Sequence, residues 1–200
     1  MTLTLKRFLS LLPLLLAFSV CAADYSANIS SLIDPAKLAT LGKRGADSRI
    51  QKCVYWLEEA RKAGEKPEKV TEAAVAKAGY KEEAAKLTKE SLLRNLDIAG
   101  KLGCLDEAGL AKMRRGSAPT ATKGPYAGDV VSVDHIIPRA LVPELDNVIA
   151  NLELLPLKLN ESKNYKVGDR QKALARKLKD AGMLSDAGWQ AVVFSARIVQ

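Results

Sequence analysis

Between residues 31 and 113 apolar side chains recur every three or four positions in a background rich in Ala, Leu, Lys and Glu, a period that predicts helices and leaves little room for sheet. Asp34-Pro35 has the form of a helix N-cap followed by proline at the first helical position, and it leads into a short helix over 36–41. A second helix is expected from Asp47 to Lys62, with Ile50, Val54 and Leu57 on one face, Cys53 and Trp56 beside it, and Gly64 as its stop. Lys66-Pro67 opens a third over about 68–78. A longer one runs over about 81–102 to end at Gly103, and a short one covers 106–113 before Arg114-Arg115. The apolar stripes of these helices read as the core of a small bundle, and no chemistry is assigned to them.

From 114 to 128 the composition shifts to Gly, Pro, Ser, Thr and Lys without apolar periodicity, which marks a linker or an exposed loop. The boundary is placed there, with a helical region at 24–117 and a second unit at 118–200. In that unit the valine-rich alternation at 129–133 predicts one strand and 151–157 a second. A helix begins at Asn160 or Glu161 and runs, with a break near Gly168, to about Ala181. A last helix over 185–198 is expected to pack back on the core. The expected fold class is α+β, mainly helical.

Charge and cysteine usage narrow the picture. The 200 residues carry a net charge of +8, with 48% apolar and 27% charged content, which excludes a wholly disordered chain and favours an anionic partner such as nucleic acid or a membrane surface. Residues 1–23 have the layout of a secretory signal peptide: Lys6 and Arg7, an apolar run of 13 residues from 8 to 20 that is too short to span a bilayer, and a small-residue exit at Cys21-Ala22-Ala23. Cleavage is expected after Ala23. Lipidation of Cys21 is the competing reading, disfavoured by the bulky Val20 before it. The leader removes two cations and no acid, so the exported chain, periplasmic or secreted, remains at +6 and needs no stable membrane association. Cys53 and Cys104 then remain, an even count in an oxidising compartment, and a disulfide between them is the working expectation, with two buried free thiols as the alternative. Without CxxC pairs, and with a single histidine, a Cys/His zinc site is not expected.

That histidine sits in Val133-Asp134-His135-Ile136-Ile137-Pro138, followed by Asn151-Leu152 and Asn160-Glu161-Ser162-Lys163, with 16 residues from His135 to Asn151 and nine from Asn151 to Asn160. The order and spacing resemble the HNH endonuclease family over about residues 125–170, with Asn in place of His at the third motif position. The resemblance implies a ββα-metal core following the helical region: a hairpin presents Asp134 and His135, and the next helix presents Asn160. It further implies a metal-dependent endonuclease cutting DNA, with RNA as a second substrate, at low sequence specificity.

The chemistry asks for these residue types. Histidine changes charge near neutral pH, so His135 suits a general base that takes a proton from the attacking water. Asp134 and Asn160 offer hard oxygens suited to Mg²⁺ or Mn²⁺, an ion that absorbs charge on the phosphate and on the leaving oxygen. The resemblance assigns Asn151 to bracing the loop that carries His135, while Lys163 would share the face of Asn160 and reach the phosphate. Arg139, Lys158, Lys166 and Arg170 are candidates for backbone phosphate contacts. Neighbouring strand residues face opposite ways, so Asp134 and His135 share a site only where the strand ends, as Pro138 favours. Two further readings stay open: a nucleic-acid-binding protein that keeps the scaffold without turnover, and a toxin or effector whose helical region binds an immunity or receptor protein.

Overall fold

A computed structural model describes residues 24–163 and 167–197. The expected leader and Lys166 lie outside the described residues. The fold is α+β and mainly helical, with a two-stranded sheet.

The first two helices begin where side chains take over orphan amides. Asp24 accepts from Ala27 N at the start of α1 (Tyr25–Ile33), and Asp34 accepts from Ala36 N at the start of α2 (Pro35–Ala39). The periodicity placed no helix before Ser31, and α1 corrects this. Its Ser and Asn content is poor in helix propensity, and burial of Ile29 and Ile33 offsets that. α3 (Asp47–Lys62) buries Ile50, Cys53, Val54, Leu57 and Ala60. It gives way to Gly64 at φ +87°, the left-handed conformation that glycine adopts without penalty. α4 (Pro67–Lys77), α5 (Glu82–Lys101) and α6 (Glu107–Arg114, capped by Asp106 through Gly109 N) complete the bundle.

The stretch at 114–128 is laid along the helices. Thr122 N and Lys123 N both donate to Leu102 O, Ala121 is buried, and Thr120 bridges Val130. β1 (Val131–His135) then pairs antiparallel with β2 (Leu152–Pro156), from Val131 opposite Pro156 to His135 opposite Leu152. β1 starts two residues later than expected because Asp129 is used elsewhere. Its Oδ1 accepts from Val130 N and its Oδ2 from Lys158 N at 3.0 Å.

That second bond caps α7 (Leu157–Ser162), whose own N-cap position is Pro156 and has no side-chain acceptor. The helix therefore starts three residues before Asn160, under a cap 29 residues away in sequence. α8 (Asp169–Asp180) and α9 (Asp186–Arg197) follow.

One apolar cluster joins α1 and α3–α6 to the hairpin through Val131, Val133, Leu152 and Leu154. A second lies under the loop between the strands, where Ile137, Val142 and Leu145 meet Ala175, Leu178 and Val192, and Leu87 of α5 reaches into it. α5 also closes the outer edge of β2. The buried Asn95 amide donates to Leu152 O at 3.1 Å and accepts from Leu154 N at 2.7 Å, the pair of bonds that a third strand would make.

The expected disulfide is absent: Cys53 and Cys104 are free, buried thiols. Both lie in the first apolar cluster, where they pack as small apolar groups, and the Cys104 thiol donates to Thr120 O at 3.8 Å. Burial pushes the Cys53 thiol up to about 12 and the Cys104 thiol up to about 11.

Candidate active site

A cleft of about 350 Å³ opens where the end of β1, the turn that follows it and α7 meet. Asp134, His135, Asn160 and Lys163 all line it, with Arg139 and Glu161 beside them and Arg44 from the loop between α2 and α3. Strand parity explains how α7 is seated. Ser132 and Asp134 share one face of β1, and Asn160 of α7 and Lys163, the residue that ends it, lie over them. Ser132 Oγ spends its only proton on Leu155 O at 3.1 Å, so it accepts from Asn160 Nδ2 at 3.0 Å. This fixes the amide and leaves Asn160 Oδ1 as the end available to a cation.

β1 ends at His135, and there the backbone leaves the sheet, so Asp134 and His135 reach one cleft as the sequence required. His135 Nε2 lies 2.9 Å from Asp146 O, an atom that only accepts, so Nε2 carries the ring proton in the neutral imidazole. Nδ1 is thereby left as the basic nitrogen. Asp146 Oδ1 is also near, 3.0 Å from Nε2 and 3.7 Å from Arg139 Nε, but it accepts no aligned hydrogen bond, and its contact with the ring is electrostatic. Asp47 stands behind this pair. Burial holds its carboxyl above the ordinary value, against the lowering pull of the Arg44 guanidinium.

The loop between the strands is tied to its base by Asn151. This wholly buried side chain accepts from Ile137 N at 2.8 Å and donates to Ile137 O at 3.1 Å and Leu145 O at 3.4 Å. It contacts the backbone just beyond His135 and lies away from the cleft.

Lys163 Nζ contacts Asp134 Oδ2 and donates to His135 O at 3.1 Å. A positive charge is thus already welcome beside this carboxylate and carbonyl. Among the described residues no group of three or more His, Cys, Asp and Glu side chains is arranged to hold a metal ion by itself. The donors suited to a divalent cation are Asp134 and Asn160 Oδ1, hard oxygens that fit Mg²⁺ or Mn²⁺ with water and phosphate oxygens in the remaining positions.

The remaining basic candidates are placed unequally. Arg139 borders the cleft, whereas the Lys158 side chain is exposed away from it. Arg170 does not serve as expected. It forms a two-pronged pair with Glu153 Oε1 (2.9 Å) and Oε2 (2.5 Å), and this bonding raises its pKa. Glu153 is 4% exposed and lies opposite Asp134 in the hairpin register, so it needs a cation of its own.

Two residues of the cleft region escaped the sequence reading. Asp146 had a weak signal, as an acid in the loop between His135 and Asn151. Arg44 had none, since its link to that loop spans 102 positions. No protein-family model, no curated protein and no solved structure matches the chain.

Proposed function

We propose that the chain is an exported, metal-dependent HNH endonuclease that hydrolyses phosphodiester bonds in DNA with low sequence specificity. The observation that carries this reading is the convergence of Asp134, His135, Asn160 and Lys163 on one cleft of a strand–strand–helix unit. The net charge of +8, which stays at +6 without Lys6 and Arg7, and the basic side chains at the cleft support a polyanionic substrate. Export is supported by the basic and apolar layout of residues 1–23.

In this mechanism His135 keeps its proton on Nε2 against Asp146 O and takes the proton of the attacking water on Nδ1. Asn151 holds the backbone that aims the ring. Asp134 and Asn160 would hold a divalent ion, which supplies charge stabilisation at the scissile phosphate and the leaving 3′ oxygen. Lys163, whose ammonium contacts Asp134, would turn it to a phosphate oxygen of the substrate.

The test is incubation of the purified chain with supercoiled plasmid in Mg²⁺, Mn²⁺ or EDTA. Nicking that EDTA abolishes is the expected result, and His135→Ala should slow it by about a hundredfold or more while DNA affinity stays nearly unchanged. Retention of more than about a third of the wild-type rate would remove His135 from the base role. A gel shift without cleavage under every metal would replace the nuclease by a binding protein on the same scaffold.

A further inference from the structure

We infer that Arg44, supplied by the helical region, is a phosphate-binding residue of this cleft, an inference that rests on the nuclease reading and extends its substrate contacts beyond the strand–strand–helix unit. Three observations converge on it.

Arg44 lines the same cleft as Asp134, His135 and Asn160, although it lies 89 residues before the strand it touches. Its backbone has φ +58°, one of two non-glycine residues with positive φ among the described residues. A side chain in that conformation is strained, and glycine would relieve it; Gly42 and Gly45 stand on either side in the same loop. The conformation is held from the loop that carries Asp146. Arg44 N donates to Asp146 Oδ2 at 3.1 Å, Ala46 N to Asn147 Oδ1 at 3.0 Å, and Asn147 Nδ2 to Gly42 O at 3.2 Å. The Asp146 carbonyl also accepts the hydrogen bond of His135 Nε2, so Arg44 and His135 are positioned by one piece of backbone.

The guanidinium is only partly used. Its Nε donates to Asp47 Oδ2 at 2.8 Å and one terminal nitrogen makes a long contact of 3.4 Å with Val133 O, which leaves most of five N–H donors free on a side chain that is 51% exposed. The charges around it are Asp47, Asp134, Asp146 and Glu161 on the acidic side, with Arg139 and Lys163 on the basic side. A planar fork anchored at Nε and open at its end matches the two non-bridging oxygens of a backbone phosphate.

The test uses the full chain with Arg44→Gln, which keeps a donor for Asp47 but loses the charge and the fork, and Arg44→Gly, which relieves the backbone strain. Circular dichroism establishes that each is folded. Fluorescence anisotropy with a short labelled duplex in EDTA gives the dissociation constant over a salt series, and plasmid nicking in Mg²⁺ gives the rate. Both variants should bind about tenfold more weakly, with a salt slope shallower by about one, and should nick more slowly; Arg44→Lys should recover part of the salt slope but less of the affinity. Binding and nicking within twofold of wild type in whichever variant folds would overturn the inference. A wild-type chain that binds in EDTA yet never cuts would sink the nuclease reading alone, with Arg44 still judged by the binding series. A wild-type chain that neither binds nor cuts would sink both.

Discussion

Replacement of Asn151 tests the bracing of the His135 loop most directly, because every partner of this side chain is defined and the residue is wholly buried. Asn151→Ala leaves Ile137 N and Ile137 O without a partner inside the protein, and each orphaned group costs about 1–3 kcal/mol. The third bond, at 3.4 Å to Leu145 O, is long and adds little. The expected loss is therefore about 2–6 kcal/mol, a large share of the roughly 5–15 kcal/mol that holds a typical domain together. Urea unfolding followed by circular dichroism measures it. Asn151→Asp sharpens the test, since it keeps the acceptor for Ile137 N but turns a carboxylate toward two carbonyl oxygens. Burial without a cation raises that carboxyl above its unfolded value of about 3.9, so the folded state binds its proton more tightly than the unfolded chain does. Stability of this variant must then fall as pH rises from the unfolded value through the raised one. Below that window the protonated acid donates to Ile137 O, and the deficit against wild type is smallest near pH 4 and larger at pH 7. A stability loss for Asn151→Ala within about 0.5 kcal/mol of zero, the range of an ordinary surface change, would refute the bracing role.

The free thiols make a second prediction: the chain lacking residues 1–23, and with them Cys21, should not react with a thiol reagent at pH 8 when native and should take two labels when denatured without reduction, whereas zero labels would restore the disulfide. Because the folded thiols stay protonated to about 12 and about 11, unfolding releases their protons above about pH 9 and stability falls there with rising pH. The double variant Cys53→Ala, Cys104→Ala, although less stable at pH 7, should lose less of its stability than wild type does between pH 8.5 and 10. Arg170→Ala should cost about 1–3 kcal/mol by stranding Glu153, discounted from a fully buried pair because Arg170 is half exposed. Its DNA affinity and salt slope should match wild type in the same anisotropy assay, and a slope shallower by one would return Arg170 to the phosphate contacts.

Most of the helices are legible in the amino-acid order because the rules that place them are local. Caps, proline at first helical positions and glycine stops act within a turn, so the sequence places α3 at both ends and α4, α5 and α6 to within a residue or two. The order Asp134, His135, Asn151, Asn160, Lys163 is equally a property of the chain alone, and so is the need for β1 to end at His135. Interactions between distant residues decide the rest. α7 starts at Leu157 because Asp129 caps it from across the hairpin, and β2 tolerates its position because Asn95 of α5 completes its edge. Arg170 is drawn to Glu153, whose burial follows from the packing of β2 and from no pattern around residue 153. Cys53 and Cys104 are free thiols, which an even count and a compartment do not decide, since a bridge also needs the two side chains in the right geometry. Asp146 comes to the His135 ring and Arg44 to the cleft by the same route: hydrogen bonds between loops about a hundred residues apart require the whole core to form first, so tertiary packing alone reveals them.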